Sequence, residues 1–273
     1  NGNESYTQAE YDAMAAKMGL DQPAVVQYFN WVDGLAHGDL GRSFFTNKSV
    51  MNQLVKRIPI SLKLAGFSMI LTIVFGVGSG VLMAVKKDRL LDHVLGTFST
   101  AALSVPGFWI AIVLIFLFAE QWKLLPSSGI PGGSGFILPA VTLALPSIGV
   151  CARLTRSAIL DEIGRQYMTV ADAKGMSRRH AVICHAFGNA LIPIITYLGN
   201  HMAGIIGGAS IVETIFAIPG IGSYAIAGVQ SKDYYVVQAY VLFSGCIYVL
   251  TNILIDLIYI ALDPKIRAGE AVE

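Results

Sequence analysis

Charged side chains are scarce in this sequence. Asp, Glu, Lys and Arg make up 14% of its 273 residues, whereas hydrophobic residues make up 54%. A soluble domain carries about 25% charged residues. The formal net charge of +1 provides no strongly basic character for a nucleic-acid partner. Scarce charge together with continuous apolar runs is typical of an all-α polytopic membrane protein.

Cysteine is also rare, and several catalytic and nucleotide-binding motifs are missing. The three cysteines, Cys151, Cys184 and Cys246, form no CxxC pair, so we expect no disulfide framework. The sequence contains no GxxxxGK[ST] motif for binding ATP phosphates. It also contains no HExxH motif, and we find no Ser/His pair at membrane depth. A membrane enzyme is therefore not the expected class.

Five apolar runs have the length of membrane spans, which need roughly 20 residues. Glycine and proline occur inside several of these runs, as is tolerated in membrane helix bundles. The predicted spans are residues 62–85, 94–119, 136–152, 189–213 and 236–262.

The distribution of Lys and Arg orients these spans. Residues 86–93 and 153–188 are rich in basic side chains, whereas the loops 120–135 and 214–235 carry one each. The positive-inside rule therefore places the basic segments and the C-terminus in the cytoplasm, and residues 1–61 outside. An external N-terminal segment requires a preceding span. We therefore expect six spans in the intact chain, with the first helix missing from this sequence.

The sequence thus divides into an extracytoplasmic segment, 1–61, and a transmembrane domain, 62–273, with a polar cytoplasmic region at 157–188. This region is too polar to span a membrane and too long for a simple turn. It has the pattern of two short helices broken near Gly175, a residue suited to the left-handed conformation that ends a helix. We interpret it as a docking element for a cytoplasmic partner. The alternative is a basic loop retained by the positive-inside rule.

Motifs in a fixed order along the chain carry a family resemblance. They include SVPGFW at 104–109, YxxxAxAKG at 167–175, HAxxNAxxP at 185–193, ETIFxxPGxG at 213–222 and LDPKIR at 262–267. Together they resemble the EAA-type signature and accompanying motifs of ABC importer permeases of the dipeptide/oligopeptide/nickel family, and are most similar to the nickel-type members. The resemblance covers nearly the whole chain except the family's first helix.

The resemblance implies the transmembrane domain of a type I ABC importer in the bacterial inner membrane. Implied partners are a second homologous permease subunit, two cytoplasmic ATP-binding subunits and an extracytoplasmic solute-binding protein. The chain itself would be non-catalytic and bind no cofactor, with ATP and Mg²⁺ held by the partner subunits. The polar region would form the coupling helix that docks on the ATP-binding subunit. The coupling residues carried over are Tyr167, Ala171, Asp172, Ala173, Lys174, Gly175, Arg178, Arg179 and His185.

Polar residues within spans usually face a bundle interior or a pathway. We predict that the substrate pathway includes Asn200, His201, Met202 and Glu213. In the last span, Asn252 and Asp256 lie four residues apart on one helix face. The resemblance suggests a structural role for this pair, through hydrogen bonds between helices.

His201 directs the expectation about cargo. The nickel-type members of the family have histidine in a similar context, and an imidazole beside the thioether of Met202 suits transient contact with a borderline metal ion. We therefore expect nickel, free or chelated, to be the cargo, with His201 as a transient ligand. A hydrogen-bonded interior histidine is the alternative, and di- or oligopeptides are the alternative cargo. An ATP-independent channel or carrier is a further alternative, but it leaves the polar region unexplained.

Overall fold

The computed structural model describes residues 21–168, 175, 176, 180, 182 and 186–262. Helices dominate this part of the chain, which confirms the predicted all-α class. A 3-10 turn at Pro131–Phe136 leads directly into α5. The helices are α1 (Ala24–Ala36), α2 (Val50–Val85), α3 (Leu90–Ser104), α4 (Gly107–Gln121), α5 (Ile137–Ile163), α6 (Phe187–Gly208), α7 (Ser210–Ile215), α8 (Ile221–Gln230) and α9 (Tyr234–Leu262).

Helix α2 begins well before the first predicted span. Its N-cap is Ser49, whose Oγ accepts a hydrogen bond from the Asn52 backbone N–H at 3.4 Å. The first turns are amphipathic, with Val50 and Leu54 buried. Because basic side chains such as Lys56 interrupt this stretch, it does not register as an apolar run. A π-helical turn at Thr72–Val77 continues the helix into its second half.

The predicted span 94–119 is sharply bent rather than straight. Helices α3 and α4 meet at an angle of 101°. The junction is at Val105, which has an extended backbone with φ −95° and ψ 127°. Pro106 follows it, and proline disfavours helical conformation in the preceding residue. The bend is therefore encoded locally.

Helix α5 is the centre of the bundle and packs against α2, α3, α4 and α6. It continues to Ile163, so the first residues of the predicted polar region, 157–163, form the last turns of this helix. Small residues permit close helix contacts. A Cβ added to Gly80 would lie 2.6 Å from the Ala152 carbonyl oxygen, and one added to Gly149 would lie 2.5 Å from the Ser99 carbonyl oxygen.

The predicted span 189–213 divides into two helices. Helix α6 ends at Gly208, and α7 begins at Ser210 after a break at Ala209. In the described part of the chain, the helical stretches long and apolar enough to cross a membrane are α2, Pro131–Ile163 and α9, with bent α3–α4 as a fourth if it counts as one span. Helix α6, which carries Asn200 and His201, is not among them.

Apolar clusters hold the helices together at both ends of α5. One of them, here called the Met168 cluster, contains Ala84, Ala158, Ile159, Met168, Val182, Ala186, Ala190 and Ile194. At the opposite end of α5, Phe136 and Leu138 pack with Phe216 and Ile218 from the segment after α7. Within a membrane such contacts stabilise the bundle through van der Waals packing between the helices. The Met168 cluster surrounds the place where the chain enters and leaves the polar region.

Candidate functional site

An ion pair joins α3 and α5 near the C-terminal half of α5. The carboxylate of Asp92 is buried in the first turn of α3. It accepts hydrogen bonds from Nε and Nη2 of Arg156, both at 2.7 Å, and from the Asp88 backbone N–H at 3.0 Å. A bidentate arginine–carboxylate pair fixes both distance and orientation. It therefore fixes α3 to α5 close to the polar region.

A chain of hydrogen bonds lies at the junction of α5, the polar region and α6. The hydroxyl of Tyr167 donates to Oε2 of Glu162 at 2.8 Å, and Nδ2 of Asn189 donates to the Tyr167 hydroxyl oxygen at 3.0 Å. The other carboxylate oxygen of Glu162 lies 2.9 Å from Nε of Arg165. The Glu162 side chain is buried, and Arg165 is exposed. We call Glu162, Tyr167 and Asn189 the Tyr167 triad.

The protonation state of Tyr167 suits this arrangement. Partial burial raises the pKa of the phenol above its ordinary value. The hydrogen bond from Asn189 lowers the pKa, but by less than burial raises it, and the neighbouring Glu162 carboxylate raises it further. The hydroxyl therefore stays protonated at neutral pH. It donates to Glu162 and accepts from Asn189 at the same time.

The other predicted coupling residues are described only in part. Gly175 has φ +75°, the left-handed conformation that we predicted from the sequence, and an added Cβ would meet nothing within 4 Å. Glycine adopts this conformation without steric cost. Outside the described residues lie Ala171, Asp172, Ala173, Lys174, Arg178, Arg179 and His185.

Glu213 is buried, with 1% of its surface exposed, and its carboxylate has protein partners on both oxygens. Oε1 accepts from the Ser61 hydroxyl at 2.6 Å, and Oε2 accepts from the Ser223 backbone N–H at 2.8 Å. The Ser61 hydroxyl oxygen in turn accepts from the Ile221 backbone N–H at 2.9 Å. The carboxylate thus satisfies free N–H groups at the start of α8, as a helix cap does. A pathway role for Glu213 stays a prediction.

His201 is half-buried in α6 and packs against aromatic and hydroxyl groups. Its ring stacks on that of Tyr197, with centroids 5.7 Å apart and planes 4° apart. Nδ1 lies 3.5 Å from Oγ of Ser147 in α5, while Nε2 is buried with no hydrogen-bond partner within the described structure. Met202 packs against the apolar cluster around Ile205. Across the described residues, no three His, Cys, Asp or Glu side chains form a group that could hold a metal ion.

The remaining predicted polar residues differ in their surroundings. Asn200 and Asp256 are exposed. Asn252 donates to the Tyr248 carbonyl oxygen at 3.0 Å, within its own helix. The inter-helix role of Asn252 and Asp256 stays a prediction. A hydrogen bond between α6 and α9 joins the hydroxyls of Thr196 and Tyr259.

An aromatic cleft of about 530 Å³ opens between α1 and the start of α9. Its walls include Tyr28 and Trp31 from α1 and Tyr235 and Gln238 from α9. Volumes of this size are common among binding clefts. The cleft includes part of the segment that we predict to be extracytoplasmic.

Sequence reasoning missed several residues of these sites. The sequence did not single out Asp92, Ser61, Glu162 or Thr196, and Arg156 stood out only as a basic and motif residue without a predicted partner. A buried carboxylate requires a partner. That rule identifies Asp92 and Glu162 as candidates only once their burial is known, because both occur among charged neighbours in the sequence.

Helical stretches that are long and apolar enough to cross a membrane, packed around α5, are typical of a polytopic membrane protein. The chain belongs to the family of binding-protein-dependent transport system inner membrane components, whose family model matches residues 76–268. It is therefore a membrane-spanning ABC importer permease. Membership implies ATP-binding and substrate-binding partner proteins.

The curated relatives cover nearly the whole chain. The probable D,D-dipeptide transport system permease protein DdpB of Escherichia coli (strain K12) is 35% identical over 282 residues, covering 93% of this chain and 83% of the relative. The dipeptide transport system permease protein DppB of the same strain is 33% identical over 297 residues, covering 97% of this chain and 88% of the relative. A probable peptide ABC transporter permease protein, y4tP of Sinorhizobium fredii, is 38% identical and covers 92% of this chain and 83% of the relative.

Solved structures support the fold. A chain of the inward-facing MetNI methionine ABC transporter matches with a TM-score of 0.65 at 18% identity, covering 78% of this chain and 97% of that one. A chain of an amino acid ABC transporter crystallised with histidines matches with a TM-score of 0.61 at 18% identity, covering 76% of this chain and 92% of that one. The chain thus has the fold of ABC importer transmembrane domains.

Proposed function

We propose that this chain is the permease subunit of an ATP-driven importer of di- or oligopeptides. The observation that carries the proposal is that relatives at 33–38% identity over 92% or more of the chain have names that specify dipeptide or peptide transport. This proposal takes the alternative cargo from the sequence analysis in place of nickel, because the names of these relatives do not mention nickel.

The nickel hypothesis rests on His201, on the short external loop 120–135 and on the resemblance to nickel-type members, and His201 is the part of it that names a metal ligand. Its Nε2 atom is buried without a hydrogen-bond partner in the described structure, and its ring packs on Tyr197. One imidazole and one thioether provide too few ligands to hold a metal ion on their own. We assign His201 to the packing of α6 against α5, where Ser147 lies 3.5 Å from Nδ1. Nickel stays as the second candidate.

The proposed assembly contains this permease, a second homologous permease, two cytoplasmic ATP-binding subunits and an extracytoplasmic solute-binding protein. ATP and Mg²⁺ bind to the ATP-binding subunits, and this chain performs no catalysis. In this proposal residues 86–93 and the polar region lie in the cytoplasm of a bacterial cell, as the positive-inside rule predicts, and the cleft around Tyr28 and Trp31 faces the solute-binding protein. Closure of the ATP-binding subunits moves the polar region and switches the bundle between two states.

The experiment measures ATP hydrolysis by the assembled transporter in proteoliposomes. The solute-binding protein is added empty, loaded with a dipeptide, loaded with an oligopeptide, or loaded with nickel. We expect stimulation, and accumulation inside the vesicles, with at least one of the two peptides. Stimulation by nickel alone would reject the peptide proposal and restore nickel as the cargo.

A further inference from the structure

The polar region is attached at both ends to one apolar cluster. Met168, just after α5, and Val182, shortly before α6, are both buried in the Met168 cluster. There they pack with Ile159 of α5 and Ile194 of α6. The entry and exit of the region are therefore fixed against the same two helices, so a displacement of the region has a direct mechanical path into both.

The apolar contacts fix where the ends of the polar region lie but not how they are oriented, because dispersion contacts have little directional preference. The Tyr167 triad fixes the orientation. Asn189, in the first turn of α6, donates to Tyr167, and Tyr167 donates to Glu162 near the end of α5. The 2.9 Å contact with Arg165 fixes the other oxygen of Glu162. Hydrogen bonds of this kind specify an angle as well as a distance.

Tyr167 differs from a typical surface contact residue. Its side chain is partly exposed, with 37% of the residue surface accessible, yet its hydroxyl is used twice inside the molecule. An ATP-binding partner would therefore find the edge of the ring available and the hydroxyl occupied.

We propose that Tyr167 is a positioning residue, whose hydroxyl ties the polar region to α5 and α6 together so that movement of the region moves both helices. This inference deepens the proposed function, because it rests on the polar region receiving movement from the ATP-binding subunits. It assigns Tyr167 a role in transmitting that movement, whereas direct binding to the ATP-binding subunit falls to other residues of the region.

The first test compares Tyr167→Phe with Tyr248→Phe in proteoliposomes. Tyr248 is exposed on α9, so its variant controls for loss of a hydroxyl elsewhere. The readout is the number of substrate molecules imported per ATP hydrolysed. Since the variant removes a hydrogen bond to a charged group, we expect this ratio to fall about fivefold in Tyr167→Phe and to stay at the wild-type value in Tyr248→Phe. An unchanged ratio in Tyr167→Phe would overturn the proposal.

Two further variants separate positioning from folding and from partner contact. Glu162→Gln keeps an oxygen that can accept the hydrogen bond from the Tyr167 hydroxyl, whereas Glu162→Leu has no acceptor. Coupling should therefore survive in the first variant and fall in the second. Asn189→Ala combined with Tyr167→Phe should be no worse than Tyr167→Phe alone, because both act through one hydroxyl. Additive losses, or equal losses in the two Glu162 variants, would contradict the triad.

Measurements on the wild-type assembly separate a failure of the proposed function from a failure of the positioning role of Tyr167. If wild type co-purifies with no ATP-binding subunit, the proposed function fails before any variant is compared. If wild type responds to nickel and not to peptide, the ratio is measured with nickel, and the positioning role is tested in the same way. Loss of ATP-binding subunits from Tyr167→Phe but not from wild type would identify Tyr167 as a contact residue and overturn the inference.

Discussion

Arg156 in α5 holds Asp92 in α3 through two hydrogen bonds of equal length, 2.7 Å each. Burial of the Asp92 carboxylate makes the pair a fixed joint, whereas exposed pairs contribute little. This ion pair joins α3 to α5, and the Tyr167 triad joins α5 to α6, both near the C-terminal part of α5.

Removing one member of this pair should destabilise the bundle. Asp92→Ala leaves the guanidinium of Arg156 partly buried without its partner, and such a loss costs about 3 kcal/mol when the pair is buried. We expect a lower thermal unfolding temperature of the detergent-solubilised complex. Arg156→Lys should recover only part of the stability, because an ammonium group cannot bind both oxygens in the same plane. Equal stability of wild type and Asp92→Ala would contradict this role.

The close approach of α2 to α5 depends on Gly80. A Cβ at this position would lie 2.5 Å from Cβ of Thr155, whereas one at Gly78 would meet nothing within 4 Å. Gly80→Ala should therefore lower the stability of the bundle by about 1–3 kcal/mol through overpacking. Gly78→Ala is the matched control in the same helix and should leave the unfolding temperature near that of wild type. The comparison uses thermal unfolding of the purified permease complex.

Glu213 should stabilise the segment around α8. Glu213→Gln replaces one carboxylate oxygen by an NH₂ group, which donates and does not accept. The remaining oxygen cannot take the place of both acceptors for Ser61 and Ser223. We expect a loss of about 1–3 kcal/mol from the unsatisfied buried groups. Thr214→Ala, at the exposed neighbouring position, serves as the control. Limited proteolysis of the reconstituted complex would show faster cleavage near α8 in Glu213→Gln, and equal rates in both variants would exclude the capping role.

Gly175 should be sensitive to any side chain. Since its φ is +75°, Gly175→Ala forces an L-residue into the left-handed region, at about 1–2 kcal/mol. We expect reduced import per ATP hydrolysed, with little effect on cargo choice. Gly188→Ala is a suitable control because an added Cβ there also meets nothing within 4 Å and its φ is not positive. Wild-type coupling in Gly175→Ala would show that the turn tolerates another conformation.

His201 provides the test of cargo at the level of a single residue. If the cargo is a peptide, His201→Ala should retain peptide import, apart from a modest loss of stability caused by removing the contact with Tyr197. Dimethylglyoxime, which sequesters nickel, should leave peptide-stimulated ATP hydrolysis unchanged. Inhibition by this chelator, relieved by added nickel, would favour the nickel hypothesis.

The sequence was sufficient for features that a short stretch determines. The apolar run that forms α9 is long enough to define a helix by itself. Gly175 has the left-handed conformation that glycine adopts without steric cost. The bend at Val105 was also encoded locally, in the proline that follows. We missed it because we treated proline as tolerated within spans, although here it separates two helices.

Other features depend on which distant segments meet. Asp92 and Arg156 are 64 residues apart, and Ser61 and Glu213 are 152 residues apart. No local pattern distinguishes these side chains from others of the same type, because their partners are chosen by helix packing. The same reason explains why the sequence did not identify the hydrogen bond between Thr196 of α6 and Tyr259 of α9.

Helix α9 packs against the rest of the described chain along one face, and its other face is exposed. Val236 and Ala239 are buried near its start, and Ile255 lies against Gly199 of α6 further along. Between these points Val241 and Tyr248 project away from the bundle. During biosynthesis the apolar residues of this exposed face favour transfer of the helix from the translocon into lipid. Polar substitutions on this exposed stretch would therefore act first on membrane insertion.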